Sequence, residues 1–217
     1  MSYSDSDNDL KLTLSPPGRR FYDRQQSSHT STDDSERIDT LSRQSSTERS
    51  NPLRPKEDRI IPPYPWSTNR RAVVQSLDWL ASCGITGIQG EVMCKRCDGS
   101  YMVEIHVQSA FLQVNSYFIT HRHILHDRAP KRWTSPGLLD CTICHQIDCA
   151  KPIIHAKKRN INWLFLFLSQ TLGLCTLDQL KYFCKHTRRH RTGAKDRVLY
   201  LTYVGLLAQL NPSGFYE

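Results

Sequence analysis

The fold is decided by one stretch of the sequence, Ile85-Thr-Gly-Ile-Gln-Gly-Glu-Val-Met-Cys-Lys-Arg-Cys-Asp-Gly-Ser-Tyr-Met-Val-Glu-Ile-His-Val107. Residues 85–93 predict a strand with glycine interruptions, and residues 101–107 alternate apolar and polar side chains. That alternation has the period of two by which a half-buried strand separates its two faces. Between the strands lies Cys94-Lys-Arg-Cys97, followed by the turn residues Asp98-Gly99. The stretch therefore predicts a β-hairpin with a metal knuckle at its tip.

A second Cys-x-x-Cys pair, Cys141 and Cys144, follows with 43 residues between the two pairs. Two such pairs supply the four thiolates of a closed tetrahedral site, the arrangement that structural zinc prefers. A closed site leaves no position for a substrate, so we expect one structural Zn²⁺ ion that stabilises the fold. The predicted metal ligands are Cys94, Cys97, Cys141 and Cys144. Two alternatives stay open: Cys149 or His145 replaces one ligand, or the cysteines are buried thiols or a redox pair.

Two other sets of residues have weaker claims on a metal. His121, His123 and His126 lie in a polar stretch before a loop, which favours solvated histidines. The second set consists of Cys175, Cys184, His186 and His190. For its histidines, which are four residues apart, we favour a role in capping a helix C-terminus within a basic surface.

The rest of the domain predicts helices. The apolar run 161–174 is about 14 residues long, short of the ~20 that a membrane-spanning helix needs, and so predicts a buried core helix. Thr176 and Gln179 form a capping box that opens the next helix. The other predicted helices run from a cap at Ser67 or Thr68 through Ala81 with a stop at Gly84, over residues 109–120, and over residues 194–210. The predicted fold class is α+β, a small zinc-knuckle β-hairpin packed with several α-helices and preceded by a disordered N-terminal tail.

Composition divides the chain into a tail, residues 1–59, and a domain, residues 60–217. The 217 residues are 23% charged and 38% hydrophobic, which excludes collagen-like, coiled-coil and disulfide-miniprotein classes. The first 60 residues hold ten basic and eleven acidic side chains, whereas all eight cysteines and all four tryptophans follow them. The N-terminus is acidic and polar, unlike the basic and apolar regions of a secretory signal. We therefore expect the protein in a reducing compartment, where paired cysteines indicate metal binding and not disulfides.

The tail predicts disorder and carries one short motif. Residues 27–50 are almost entirely polar or charged and cannot bury enough surface to offset chain entropy. Leu10, Leu12 and Leu14 alternate with polar residues just before two prolines, so an extended chain projects them on one face. The pattern resembles the LxLxL repression motif of plant transcriptional regulators, which implies a Topless-type corepressor as partner. The alternative is a chance leucine triplet.

Positive charge is concentrated in residues 151–197, which contain eleven Lys and Arg residues against Asp178 and Asp196. Its densest part, Arg188–Arg197, lies between two predicted helices, which favours binding of phosphates by side chains and by free helix N-terminal amides. The predicted nucleic-acid or polyanion-binding residues are Lys157, Lys158, Arg159, Lys185, Arg188, Arg189, Arg191, Lys195 and Arg197. The alternatives are a solvated basic surface and a patch for an acidic protein.

Six strings of the domain carry a family resemblance. They are Pro62-Pro-Tyr-Pro-Trp66, Cys94-Lys-Arg-Cys97, His126-Asp-Arg-Ala-Pro-Lys131, Ile161-Asn-Trp-Leu-Phe-Leu166, Cys175-Thr-Leu-Asp-Gln-Leu-Lys-Tyr-Phe-Cys-Lys-His-Thr187 and His190-Arg-Thr-Gly-Ala-Lys-Asp-Arg-Val-Leu-Tyr-Leu-Thr-Tyr203. Over about residues 62–214 the chain resembles the plant-specific domain of unknown function 7086 (DUF7086). The resemblance implies a plant origin and brings no established activity. Leucine-rich N-terminal stretches are frequent in that family, which favours a transcription-related role.

Together these patterns predict a non-enzymatic nuclear adaptor or transcriptional regulator, with the cytoplasm as the alternative location. It would bind DNA or RNA through the basic helical face and a corepressor through the leucine motif. The alternative is a protein-interaction module whose basic patch binds an acidic partner. A remote alternative is an HNH-like metal-dependent nuclease, but His126-Asp127 has the wrong order for its Asp-His dyad. Glycine-rich phosphate loops, nucleophile elbows and paired catalytic carboxylates are not evident, so we expect neither a small-molecule substrate nor a membrane partner.

Overall fold

The structure, a computed structural model, describes residues 59–216. It contains six helices and three strands in this part of the chain, which confirms the α+β class. In chain order the elements are α1 (Leu77–Ser82), β1 (Gly87–Cys94), β2 (Ser100–His106), α2 (Val107–Leu125), α3 (Lys131–Thr134), β3 (Ala150–Pro152), α4 (Trp163–Leu168), α5 (Leu177–His186) and α6 (Lys195–Leu210). The predicted disordered tail and its motif residues Leu10, Leu12 and Leu14 lie outside the described residues.

The sheet is antiparallel in the order β2-β1-β3, so β1 is its central strand. Burial alternates along β1, where Ile88, Gly90, Val92 and Cys94 are buried and the residues that alternate with them are more exposed. The predicted hairpin is confirmed, with Gly87 opposite His106 and Met93 opposite Ser100. Short β3 has no clear sequence signal, and it pairs Ala150 with Cys94.

The helices form the main core against one face of the sheet. All six residues of α4 are buried, and α6 buries most of its length between α5 and the other helices. At the centre the rings of Trp133 and Tyr203 stack with their centroids 3.9 Å apart. Gly90 lies where a Cβ atom would be 2.4 Å from the Phe165 ring, so glycine allows β1 to approach α4 closely.

The first helix is shorter than predicted. It begins at Leu77, where Ser76 is the N-cap and accepts a hydrogen bond from the backbone N–H of Trp79. The residues before it contain turns at 65–66 and 71–72 and pair with each other, through bridges between Arg59 and Arg70 and between Ser67 and Val74. The predicted cap at Ser67 or Thr68 was therefore wrong, because this segment forms local β-bridges.

The apolar run 161–174 is largely buried as predicted, but the single helix was wrong. Helix α4 ends at Leu168, where the Ser169 hydroxyl donates to the Phe165 carbonyl. Gln170 then takes a left-handed φ of 57°, and a separate 3₁₀ turn follows at Leu172–Leu174. Within residues 59–216, no helix combines the length and apolar character that crossing a bilayer requires.

Candidate metal centre

Five cysteines converge at the end of the sheet. Cys94 ends β1 and Cys97 lies in the turn before β2, whereas the other three precede β3. The Cys94 sulfur lies 3.7 Å from the Cys144 sulfur, and the Cys97 sulfur lies 3.8 Å from the Cys141 sulfur. Cys149 adds a fifth sulfur, 3.5 Å from that of Cys94. The two predicted Cys-x-x-Cys pairs therefore meet in space although 43 residues separate them.

The distances between the two pairs fit a tetrahedral zinc ion. Zinc binds thiolate sulfur at about 2.3 Å, which places two sulfurs of a tetrahedron about 3.8 Å apart. The contacts of 3.7 Å and 3.8 Å each join one cysteine of the first pair to one of the second. The two pairs can therefore coordinate one ion between them, each pair supplying two sulfurs.

The first pair has the backbone of a metal knuckle. The Cys94 sulfur accepts hydrogen bonds from the N–H groups of Arg96, at 3.2 Å, and of Cys97, at 3.5 Å. The N–H of Cys94 in turn donates to the Gly99 carbonyl. Asp98 takes a left-handed φ of 54°, which turns the chain back into β2.

The second pair repeats this pattern position by position. The Cys141 sulfur accepts hydrogen bonds from the N–H groups of Ile143 and Cys144, both at 3.4 Å. The N–H of Cys141 donates to the Gln146 carbonyl, and His145 takes a left-handed φ of 58°. The loop and the hairpin turn thus form two equivalent knuckles that face each other.

The knuckle amides make the leading cysteine of each pair a better thiolate. Burial raises the pKa of Cys94, but hydrogen bonds from the N–H groups of Cys97 and Arg96 and from neighbouring thiols lower it to about 6. Cys141 follows the same balance, in which N–H donation from Cys144 and Ile143 outweighs burial and lowers its pKa. The Cys94 thiolate is therefore favoured close to neutral pH, and the Cys141 thiol ionises more readily than an ordinary cysteine.

The second cysteine of each pair needs a cation to ionise. The N–H of Gly99 lowers the pKa of Cys97, but burial and the sulfurs around it raise the pKa to about 12. The pKa of Cys144 is raised in the same way, against the N–H of Gln146. Four thiolates repel each other unless a divalent ion lies between them, and a bound zinc ion deprotonates its thiol ligands.

The cluster offers two four-cysteine sets that share three members. In one set the sulfurs of Cys94, Cys141, Cys144 and Cys149 all lie within 4.8 Å of one another. In the other, Cys97 replaces Cys149 and completes the first knuckle. The thiol of Cys149 donates to the Gln146 carbonyl at 3.1 Å, and burial and the neighbouring Cys94 sulfur raise its pKa, as they do for the second cysteine of each pair. The equivalence of the knuckles favours Cys97, whereas His145 is exposed beside the cluster.

The other candidate metal ligands are used elsewhere. His121 stacks on Tyr117 with ring centroids 4.2 Å apart, and His126 is the left-handed C-cap of α2. The Cys184 sulfur is buried 3.8 Å from the Thr202 hydroxyl. Across residues 59–216, one group of three or more His, Cys, Asp and Glu side chains can hold an ion by mutual distance, and it consists of Cys94, Cys141, Cys144 and Cys149 without the predicted ligand Cys97.

Comparison with known proteins assigns the chain to a family. A family model described as a domain of unknown function, DUF7086, matches residues 77–210. The chain belongs to the DUF7086 family. The match confirms the family resemblance found in the sequence, and it extends from the start of α1 to the end of α6. No curated protein and no solved structure matches this DUF7086 chain.

Some of the predicted basic residues make contacts within the domain. Lys158 pairs with Asp178, and the Lys195 ammonium donates to the Gly173 carbonyl at 2.7 Å. Arg189 lies against α6, with its Nε 3.0 Å from the position that a Cβ of Gly205 would take. The exposed members of the set are Lys157, Arg159, Lys185, Arg188, Arg191, Lys195 and Arg197.

Two of the predicted basic residues line a pocket together with three arginines that were not among the predicted binding residues. Lys185 and Arg188, at the end of α5, line it together with Arg59, Arg70 and Arg71. The dipeptide Arg70-Arg71 is a signal in the sequence, but nothing in it indicates that α5 lies alongside. Burial raises the pKa of Tyr182 on α5, and the positive charges of Arg71, Arg159 and Lys158 oppose that rise. The 3₁₀ turn Lys158–Asn160 therefore adds its cations to the same neighbourhood.

Proposed function

We propose that this DUF7086 protein is a non-catalytic, zinc-stabilised nuclear adaptor that binds nucleic acid through basic residues and a corepressor through its leucine motif. The observation that carries the zinc assignment is the pair of sulfur contacts of 3.7 Å and 3.8 Å between equivalent knuckles. A tetrahedral four-sulfur site selects zinc or iron among the common metals. Zinc fits a role in which the metal only holds the chain together.

The all-cysteine donor set supports a structural role for the metal. Catalytic zinc keeps one position for water or substrate, whereas structural zinc is closed by four protein ligands. Here five sulfurs are available for four positions, and three of them, Cys94, Cys141 and Cys149, are buried. The ion would fix the hairpin turn to the loop before β3 and would perform no reaction.

The exposed cations support nucleic-acid binding. Lys157 is the N-cap of the 3₁₀ turn and Arg159 lies within it, and Lys185, Arg188 and Arg191 lie at or beyond the end of α5. Exposed Lys and Arg side chains bind phosphate backbones mainly by releasing condensed counterions, which requires no base-reading helix. We therefore propose binding that depends weakly on sequence and steeply on salt.

The test is a salt titration of duplex DNA binding by the full, zinc-loaded chain. We expect the logarithm of the binding constant to fall linearly with the logarithm of salt, with a slope of about −0.9 for each neutralised phosphate. Lys157→Gln combined with Arg159→Gln should reduce the slope, and each single variant is compared with Lys131→Gln on α3, which removes one charge outside the proposed set. Absence of DNA and RNA binding at low salt overturns this part and favours an acidic protein as the partner.

The corepressor part of the proposal rests on the sequence pattern Leu10, Leu12 and Leu14. Three leucines on one face of an extended segment suit an apolar groove of a partner. Replacing all three by alanine should abolish capture of a Topless-type corepressor domain, whereas Leu41→Ala in the same tail should not. Equal capture by both variants overturns this part and leaves the metal site unaffected.

A further inference from the structure

One pocket of the domain is lined almost entirely by cations. It has a volume of about 280 Å³ and lies between the segment before α1 and the end of α5. Its lining residues are Arg59, Arg70, Arg71, Lys185, His186 and Arg188. No acidic side chain lines it among the described residues. Four arginines and a lysine give five formal positive charges around one concave space.

The backbone holds the arginines in place from two sides. Arg59 and Arg70 face each other in an isolated antiparallel bridge. The turn that follows is fixed to α6, because the Gln209 side chain accepts the N–H of Val74 at 2.9 Å. Ala72 in this turn has a left-handed φ of 60°. The turn is therefore tied to the helix that packs against α5, and Arg70 and Arg71 are positioned beside the end of α5.

The hydrogen bonding of the pocket is incomplete. The Nε atom of Arg71 is buried and has no hydrogen-bond partner among the described residues. A buried donor without a partner costs free energy, and a cationic donor costs more than a neutral one. In residues 59–216, ion pairs join Arg128 to Asp196 and Lys158 to Asp178, and neither involves the four arginines or the lysine that line this pocket. An anion in the pocket would supply the missing acceptor and reduce the repulsion between the cations.

Complementing the α5 dipole does not explain so many cations. A helix C-terminus carries about half of a negative elementary charge, which one lysine or histidine in the last turn balances. Lys185 and His186 already lie in that turn. Arg188 follows in a left-handed conformation, with a φ of 57°, where glycine or asparagine is usual. Arg59, Arg70 and Arg71 come from a separate segment and add three further charges.

We propose that this pocket binds a diphosphate group, either free or at the end of a nucleotide. Its volume of about 280 Å³ has room for both phosphates of a diphosphate, whereas a single phosphate leaves much of the space empty. Arginine forks match phosphate oxygens in geometry as well as charge. This site goes beyond the proposed nucleic-acid binding, because it recognises a compact, highly charged anion.

The test is calorimetric titration of the full, zinc-loaded chain with inorganic pyrophosphate, ADP, orthophosphate and sulfate. We expect pyrophosphate to bind about tenfold or more tightly than orthophosphate, since more of the charge-assisted hydrogen bonds form at once. Arg71→Gln and Arg188→Gln should each weaken pyrophosphate binding about tenfold or more, and Lys131→Gln by less than about twofold. If ADP binds as tightly as pyrophosphate, the pocket accepts the diphosphate group of a nucleotide. If ADP binds more weakly than pyrophosphate, the ligand is the free diphosphate anion.

Several outcomes overturn the proposal. These are no pyrophosphate binding at millimolar concentration, equal binding of pyrophosphate and sulfate, and a loss in Lys131→Gln as large as in Arg188→Gln. If Arg71→Gln does not fold, as judged by circular dichroism and zinc content, the exposed Arg188 decides the test. Pyrophosphate binding without DNA affinity contradicts the proposed nucleic-acid binding and supports the diphosphate site. DNA affinity without pyrophosphate binding supports nucleic-acid binding and contradicts the diphosphate site.

Discussion

At the scale of single residues, five sulfurs surround the candidate metal centre, where a tetrahedral ion would bind four of them. We predict that Cys97→Ser lowers zinc affinity by more than the roughly 10- to 100-fold that loss of an outer-shell partner costs. Cys149→Ser should keep one zinc per chain, because serine can still donate to the Gln146 carbonyl that Cys149 contacts at 3.1 Å. Zinc content and chelator competition on the full chain measure both. Zinc retained by Cys97→Ser and lost by Cys149→Ser would assign Cys149 as the fourth ligand.

A second residue-scale prediction concerns the ion pair at the start of α6. The Arg128 guanidinium donates to Asp196 at 2.8 Å and holds the pKa of that carboxyl below its ordinary value of 3.8. A lowered folded-state pKa stabilises the protein above the ordinary pKa, and this contribution is lost as the pH falls through the folded value. The two side chains are 62% and 31% exposed, so solvent screens the pair.

We therefore expect a small coupling energy in a double-mutant cycle of Arg128→Gln and Asp196→Asn. Its value should be about 0.2–1 kcal/mol in the free energy of unfolding at low salt, and smaller in about 1 M salt. Because Asp196 stays ionised, the coupling should be constant from about pH 8 down to about pH 5. Urea unfolding of the four zinc-loaded proteins measures it. A coupling that decays above pH 5 would show that the carboxyl is not held in this pair.

At the scale of elements, the sequence was informative where the signal is local. The hairpin β1–β2 follows from residue alternation, and α5 follows from its capping box, in which Thr176 and Gln179 bond each other's backbone. The run 161–174 was harder, because its apolar composition predicts burial but does not specify where the helix ends. That end depends on Ser169 and Gln170, whose conformation is set by packing. Strand β3 forms only because β1 is already there to pair with it.

The contact between β1 and α4 gives an element-scale prediction. A Cβ on Gly90 would lie 2.4 Å from the ring of Phe165, which is buried and cannot swing away. We expect Gly90→Ala to lower the free energy of unfolding by about 1–3 kcal/mol, the usual cost of overpacking a core. The matched control is Gly137→Ala, since Gly137 is exposed and its Cβ would meet no atom closer than 3.5 Å. Urea unfolding of the zinc-loaded proteins measures both, and equal stability of the two variants would contradict the close approach.

At the scale of the whole molecule, two sites depend on long-range placement to different degrees. The metal centre was predictable because each Cys-x-x-Cys pair is itself a local signal, so only the meeting of the pairs had to be inferred. The cationic pocket was not predictable as a unit. Arg59, Arg70 and Arg71 lie more than 100 residues before Lys185 and Arg188, and their proximity results from the packing of α5 and α6 against the segment before α1.

The metal centre and the main core are separate in this molecule, which predicts what metal removal does. Cys94, Cys141 and Cys149 form their own buried cluster, and Tyr101 packs against both that cluster and the helical core. A structural zinc site contributes directly to folding where no other core exists. Here the helical core buries Phe, Trp and Leu side chains without help from the knuckles.

We expect chelation of zinc from the full chain to leave most of the far-ultraviolet helical signal intact while it destabilises the knuckles. The Tyr101 hydroxyl donates to the Asp140 carbonyl at 2.9 Å and accepts the N–H of Thr142, so these bonds should open when the loop is released. Hydrogen exchange should then become fast in residues 94–101 and 139–150 and stay slow in α4 and α6. Cys149→Ser, treated in the same way, should respond like the wild type, since the sulfur it loses is the one outside the knuckles. Cooperative loss of the whole helical signal on chelation would mean that the core depends on the metal, and that zinc controls the fold of the entire domain.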